Sequence, residues 1–196
     1  MQAFFRPSIV AAAALLSTAA FAQSNVTIYG AIGLDVVSAS HVYDGTRSGS
    51  VVKIDDNAIV NSRIGFKGNE DLGGGLKAQF GIESSVKPDT GVGGGGGSTF
   101  WNRGSYVGLA GDFGSVRLGR QWNVADDYMG NYFAFGYYSA FMFNGFGPLS
   151  DLAVNAIKYT SPNVGGFEGG VIYGLGEQAG HTSAGQSFQA AVNYGA

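Results

Sequence analysis

The segment 61–83, NSRIGFKGNEDLGGGLKAQFGIE, constrains the possible fold more strongly than any other part of the chain. Apolar or glycine residues occupy every second position in each half of the segment: Ile64, Phe66, Gly68, then Leu76, Ala78, Phe80, Ile82. A period of two residues is typical of a β-strand whose two faces differ. The polar, glycine-rich run 70–75 separates the halves, so the segment predicts a β-hairpin.

The opposite face of this hairpin is polar and charged, with Arg63, Lys67, Lys77, Gln79 and Glu83 in alternate positions. Unpaired charge is too costly to bury in the dry core of a small soluble sandwich. The pattern fits a sheet whose apolar side meets lipid and whose polar side lines water. The sequence therefore predicts an all-β, transmembrane antiparallel β-barrel.

The first 22 residues have the features of a secretory signal peptide. Arg6 precedes the apolar run 9–16, and Ala20-Phe21-Ala22 supplies a small-residue cleavage site. The alternative, an N-terminal anchor helix, is disfavoured because a helix needs about 20 apolar residues to span a bilayer. We expect residues 1–22 to be removed on export, and residues 23–196 to form the barrel in the outer membrane.

The composition agrees with this class. The chain has 34 Gly, 14 Phe and 10 Tyr but only 4 Pro, and its mean hydropathy is +0.09. In outer-membrane barrels a polar lumen dilutes the apolar lipid face, so overall hydropathy stays moderate. The net charge of −3 argues mildly against a nucleic-acid partner.

No catalytic or cofactor chemistry is indicated. The chain has no cysteine, which excludes a disulfide framework and a thiol metal site. His41 and His181 fall in predicted loops without evident carboxylate partners, so neither a metal site nor an outer-membrane hydrolase is favoured. The run Gly93–Gly97 lacks the Gly-Lys-Ser/Thr that a phosphate-binding loop requires.

Eight strands are predicted. They occupy 26–37, the two halves of 61–83, 103–109, 115–121, 155–161, 167–175 and 187–196. Short turns at 70–75, 110–114 and 162–166 alternate with long connections at 38–60, 84–101, 122–153 and 176–186. Alternation of this kind is expected of a membrane barrel with short periplasmic turns and long outer loops.

The long connection 122–153 carries nine Tyr and Phe residues between Tyr128 and Phe146. So many exposed aromatic side chains need something to pack against, and we expect this loop to fold into a wide lumen. Eight strands alone enclose an interior filled by side chains. We therefore expect the N-terminal half of a larger barrel; the alternative is a complete small barrel with a structural or adhesive role.

Three strings, SRIGFKGNEDLGGGLKAQFGIE, RGSYVGLAGDFGSVRLGRQ and NAIKYTSPNVGGF, resemble the Gram-negative trimeric porins of the β-proteobacterial type. The resemblance covers residues 23–196 in order. It implies a sixteen-stranded, homotrimeric, water-filled channel for small hydrophilic solutes and ions, constricted by its third outer loop. It implies no cofactor and no enzymatic activity. Strands nine to sixteen and the terminal aromatic assembly signal are absent from this sequence.

Basic side chains are the candidate selectivity residues. By strand parity, Arg63, Lys67, Lys77, Arg117 and Lys158 point into the lumen, and Arg103 joins them if parity slips by one at the strand end. The resemblance supports Arg63, Arg103 and Lys158 as the basic side of the constriction. Arg120 could line the pore or brace the loop. Charged rings in a low-dielectric wall bias which ion enters, so we expect a leaning to anions.

Acids of the third loop, namely Asp126, Asp127 and Asp151, are expected to face these cations across the pore. The alternative for acids and bases alike is that they are solvated wall and loop residues. Aromatic residues near strand ends predict interfacial girdles: Tyr29, Phe80, Tyr159, Tyr173, Phe188, Tyr194.

Overall fold

The computed structural model describes residues 25–56, 61–129, 152–181 and 183–195. The predicted signal peptide and most of the predicted constriction loop, including Asp151, lie outside these residues. The strands are β1 (Asn25–Ala31), β2 (Asp35–Tyr43), β3 (Ser48–Asp55), β4 (Arg63–Gly73), β5 (Leu76–Lys87), β6 (Val92–Gly93), β7 (Gly104–Gly111), β8 (Gly114–Trp122), β9 (Leu152–Thr160), β10 (Phe167–Gly174) and β11 (Ser187–Tyr194). A 3-10 turn covers Gly94–Gly96, and one short helix, α1, covers Val124–Met129.

Eight strands form one continuous antiparallel path in the order β1, β4, β5, β7, β8, β9, β10, β11, and β6 pairs with the end of β5. These eight strands are the eight that alternation predicted, which confirms the antiparallel barrel-type fold. Within the described residues β1 and β11 are the two edges and do not pair with each other, so the sheet is open.

The two faces of the sheet differ as the sequence pattern predicts. On the apolar face, Ile28 is 68% exposed, Val107 60% and Val192 75%. The small buried core lies on the other, polar face, where α1 packs against β10 and β11 and its side chains cluster with residues of β9 and β10: Val124, Tyr128, Ala153, Ala156, Ile172. A loop helix packed on the polar face, opposite a bare apolar face, is the arrangement of a sheet with lipid outside and a lumen inside. None of the helices in the described part of the chain is long and apolar enough to cross a membrane.

Two predicted segments were wrong. The strand predicted over 26–37 is interrupted at 32–34, because β1 ends at Ala31 and β2 begins at Asp35. The connection predicted over 38–60 contains a separate hairpin of β2 and β3, which among the described strands pair with each other and with no other strand. This hairpin has a register irregularity between Ala39 and Val42.

The long connection predicted over 84–101 is tied to the sheet. Strand β5 continues to Lys87 and pairs with β6. The Ser84 hydroxyl donates to the Phe100 carbonyl at 2.6 Å, and the Ser85 amide donates to the Asn102 side chain at 2.9 Å. These bonds fix the approach of the chain to β7, where Arg103 lies.

Candidate pore-lining site

Two ion pairs lie on the inner, polar face of the sheet. The first joins Arg103, immediately before β7, to Glu83 on β5, with 2.5 Å between Nε and Oε1. The Arg103 guanidinium also lies over the Trp122 ring, 5.3 Å from its centroid. In the strand register Gly104 of β7 lies opposite Glu83, so Gly104 takes the inward position. The neighbouring Arg103 side chain nevertheless turns to the same inner face and meets Glu83 there. This is the slip in parity anticipated at the strand end.

The second ion pair attaches α1 to the wall. Lys158 on β9 is 2% exposed, and its Nζ contacts Asp127 Oδ2 at 2.6 Å and donates to the Trp122 carbonyl at 3.0 Å. The Asp127 side chain is 36% exposed, so this pair has one buried and one solvated member. Lys158 therefore holds the start of the long loop against the inner wall.

Neutral contacts complete the attachment of α1. The Ala125 amide donates to Gln189 Oε1 on β11 at 3.1 Å. Gly170 on β10 lies directly under Val124, where a Cβ would collide with the valine methyl group. Burial and the nearby Glu168 carboxylate raise the pKa of the Tyr128 hydroxyl above its ordinary value. The helix thus depends on a glycine below it and on a polar side chain of β11.

Arg117 on β8 and Lys67 on β4 have aromatic and neutral partners. The Arg117 guanidinium lies 5.0 Å from the Tyr106 ring centroid, and its Nε donates to Gln79 Oε1 at 3.2 Å. The Lys67 ammonium lies 5.2 Å from the Tyr29 ring centroid. Among the described residues, no carboxylate lies within 4.0 Å of either cation. Both therefore keep an uncompensated positive charge on the wall.

These side chains border two open grooves. The loop-end groove, about 150 Å³, is lined by both ion pairs together with Tyr29, Tyr106, Arg117 and Trp122. The turn-end groove, about 340 Å³, lies closer to the short turns and is lined by Asn25, Thr27, Lys67, Asn69, Gln79, Tyr106 and Arg117. Arg117 and Tyr106 border both grooves, so the two are adjacent along the wall.

The other predicted site residues are more dispersed. Arg63 lies on the inner face at the long-loop end of β4, and its guanidinium donates to the Asn61 carbonyl at 2.9 Å. Lys77 lies exposed next to the turn between β4 and β5 and lines neither groove. Arg120 lies opposite Ser105 in the β7–β8 register, which puts it on the other face of the sheet from Arg117. Its guanidinium donates to the Asn102 carbonyl at 2.7 Å and so braces the chain just before β7. Asp126 is buried within α1.

Sequence reasoning missed several residues of the site. Glu83 had the correct parity but was not proposed as the acidic partner of Arg103. Tyr29 was assigned to an interfacial girdle, which was wrong: it lines the loop-end groove beneath Lys67. Its inward parity, shared with Thr27, was the available signal. Gln189 gave no signal, because its role depends on α1, 64 residues earlier in the chain.

An antiparallel sheet with an exposed apolar face, a basic inner face and a loop helix attached to that inner face is the arrangement of a transmembrane β-barrel protein. Comparison with known proteins agrees. The model of the Gram-negative porin family matches residues 9–196.

Individual relatives point to the same family. Outer membrane porin protein 32 of Delftia acidovorans is 35% identical over 183 residues, covering 88% of this chain and 50% of the relative. The major outer membrane protein P.IB of Neisseria meningitidis serogroup B is 33% identical over 190 residues, with the same coverage of 88% and 50%. The solved anion-selective porin from Comamonas acidovorans superposes with a TM-score of 0.74 at 32% identity, covering 88% of this chain and 54% of that one.

This chain belongs to the Gram-negative porin family. It is accordingly an outer-membrane protein, and its family is one of channels rather than enzymes. The chain spans about half the length of the curated relatives it matches.

Proposed function

We propose that this protein forms a water-filled outer-membrane channel for passive diffusion of small hydrophilic solutes and ions, with a leaning to anions. The observation that carries the proposal is the basic inner wall with α1 attached to it. A polar wall supplies the water-filled path, and a loop held against it narrows that path. The narrowing sets which charge passes most easily.

The balance of charge on the wall favours anions. Six basic side chains reach the inner face: Arg63, Lys67, Lys77, Arg103, Arg117, Lys158. Two of them are neutralised by the carboxylates of Glu83 and Asp127. In the described part of the chain, no carboxylate lies within ion-pair distance of the remaining four. The same face also carries the carboxylates of Glu168, beside Tyr128, and Asp71, opposite Lys77. Cations still outnumber carboxylates on this face of the described residues, and the low-dielectric wall concentrates the field of that excess in the lumen.

The relatives support the same polarity. A solved porin with 32% identity to this chain is described as anion-selective. We extend that preference to this protein, with Arg63, Arg103 and Lys158 as the basic side of the constriction and Asp127 on the loop side. Of these cations Arg63 has no carboxylate within ion-pair distance among the described residues, so its charge acts on the lumen most directly. We also propose cleavage of a signal peptide at residue 22, a homotrimeric assembly surrounded by lipid, and no cofactor or catalytic role.

The channel is tested by the reversal potential of the full-length protein in planar bilayers under a KCl gradient. Arg63→Glu should move the reversal potential toward that of a cation-selective pore, because it replaces a wall cation by an anion. Arg47→Glu is the matched control, since Arg47 lies beyond the β2 end of the separate hairpin, off the inner wall. Slow, saturable flux without ion current would contradict the channel, and equal shifts in both variants would remove Arg63 from the constriction.

A further inference from the structure

The turn-end groove has the features of a binding site separate from the ion pairs of the constriction. One row of paired residues crosses the inner face from Asn25 on β1 through Asn69, Gln79 and Gly108 to Arg117 on β8. Gly108 has no side chain, and a Cβ there would lie 2.9 Å from Arg117 Cγ. The Arg117 side chain therefore crosses the β7 backbone and reaches Gln79, two strands away.

The two cations of this groove are held in place and are not neutralised. The bond from Nε to Gln79 orients the Arg117 guanidinium, and the Tyr106 ring supports it from one side. The Tyr29 ring supports Lys67 in the same way. Within the described residues, the ion pairs of the inner face involve Arg103 and Lys158 only. The guanidinium thus keeps donors in a fixed, planar arrangement that suits a carboxylate or phosphate.

Apart from Gly68 and Phe80, the remaining lining is polar and uncharged. Asn25, Thr27 and Asn69 supply amide and hydroxyl groups, and among the residues that the structure describes no carboxylate lines the groove. Its volume of about 340 Å³ lies within the range of small-molecule sites. A chloride ion would use little of this space, whereas a solute bearing an oxyanion and hydroxyl groups could contact both cations and the amides.

We propose that the turn-end groove is a binding station for small oxyanion solutes, which carry a carboxylate or phosphate group, with Arg117 as its principal contact and Lys67 as its second. The station lies beyond the constriction, toward the short turns, and Arg117 borders both grooves. An oxyanion that has passed Arg103 can therefore move to a second cation without entering bulk water. This inference rests on the proposed channel and specifies a class of solute that it passes.

The experiment measures block of the chloride current by sodium succinate and, separately, by inorganic phosphate, in planar bilayers containing the full-length protein. Arg117→Gln and Lys67→Gln should each raise the half-blocking concentration about tenfold, the loss expected for one charge-assisted hydrogen bond. Arg47→Gln is the matched control, because it removes the same charge from the separate β2–β3 hairpin, outside both grooves. It should leave the half-blocking concentration within about twofold.

Arg117→Lys covers the case in which Arg117→Gln fails to assemble. This variant keeps the positive charge but loses the planar set of guanidinium N–H donors. Block by both oxyanions should therefore weaken, while the chloride reversal potential stays unchanged. Weaker block by succinate alone would assign the station to carboxylate solutes. Weaker block by phosphate alone would assign it to phosphate solutes. If the half-blocking concentrations of the position 117 variants equal that of the Arg47→Gln control, the station is refuted while the channel stands. If the wild-type protein carries no ion current, the channel and the station both fail.

Discussion

At the scale of single residues, burial and pairing separate the basic side chains into two kinds. Lys158 is buried and shares its charge with Asp127 and the Trp122 carbonyl. Arg117 and Lys67 line an open groove, without a carboxylate partner among the described residues. A paired charge contributes little to the field in the lumen, whereas an unpaired one contributes fully. Lys158 therefore acts mainly on loop position, and Arg117 mainly on the solute.

Lys158→Met should destabilise the attachment of α1. Breaking a buried ion pair from one side costs about 3–5 kcal/mol, but the partly exposed Asp127 can recover hydration, so we expect about 1–3 kcal/mol. Urea unfolding in liposomes measures this loss, and open-channel current noise should rise as the loop moves. Lys77→Met removes an exposed cation from the same face and should change stability by less than about 0.5 kcal/mol. Equal stabilities of the two variants would contradict the anchoring role.

Asp44 gives the turn between β2 and β3 a dependence on pH. Its Oδ1 accepts hydrogen bonds from the Arg47 amide at 2.7 Å and the Thr46 amide at 2.9 Å, and these bonds lower its pKa. The pKa of Asp44 in the folded state therefore lies below its pKa in the unfolded state. The ionised carboxylate stabilises the turn fully at pH values above the unfolded pKa, about 4, and this stabilisation is lost as pH falls through the folded pKa.

Hydrogen exchange of the Thr46 and Arg47 amides should therefore become faster at low pH, after correction for the intrinsic pH dependence of exchange. Asp44→Asn keeps a side-chain oxygen acceptor but cannot titrate, and its corrected protection should stay flat across the same range. Protection in the wild-type protein that is equally flat would contradict the role of the carboxylate.

At the scale of elements, strand position and face could be read from the sequence because lipid and water impose a strict period of two. Strands such as β4 and β8 therefore lie within a few residues of their predicted positions. The β2–β3 hairpin escaped prediction because each of its faces mixes apolar and polar residues, as Val36 and Ser38 do on one face of β2, and none of its residues is fully buried. Its backbone is also irregular, with His41 at a φ of +59°.

Side-chain pairing was less predictable than strand face. Parity places Lys158 and Glu83 on the inner wall, but it does not say which charge each one meets. Asp127 reaches Lys158 only because α1 turns back onto β10 and β11, and this depends on space left above Gly170. A glycine that leaves room for a helix gives no signal in a single sequence. The tertiary packing of the loop therefore had to come from the structure.

Gly170 offers a direct test of that packing. In Gly170→Ala the new Cβ would overlap the Val124 methyl group, so α1 should shift from the wall into the lumen. We expect lower single-channel conductance and a stability loss of about 1–3 kcal/mol, as for an overpacked core. Gly169→Ala is the matched control, because its Cβ points to the other face and comes no closer than 4.0 Å to the Ala191 carbonyl oxygen. Unchanged conductance in Gly170→Ala would refute this positioning of α1.

At the scale of the whole molecule, the sheet is apolar outside and polar within, the reverse of a soluble β-protein. Its exposed large side chains, such as Ile28, Val107 and Val192, share the outer face. Its buried polar side chains, such as Lys158 and Gln121, lie with α1 and the inner wall. Exposed apolar area of this extent would be an aggregation hazard in water and is a source of stability in lipid.

This inversion predicts unequal costs for one substitution made on the two faces at the same depth. Val107 and Gln79 belong to adjacent positions of the β5–β7 pairing but lie on opposite faces. Val107→Arg should lower the free energy of unfolding in liposomes by about 2–4 kcal/mol if Val107 lies near the bilayer midplane, because the guanidinium meets hydrocarbon. Gln79→Arg places the same group in water beside Arg117, where repulsion between solvated charges costs less than about 1 kcal/mol. Equal costs on the two faces, measured by urea unfolding, would contradict the assignment of lipid to the Val107 face and of water to the Gln79 face.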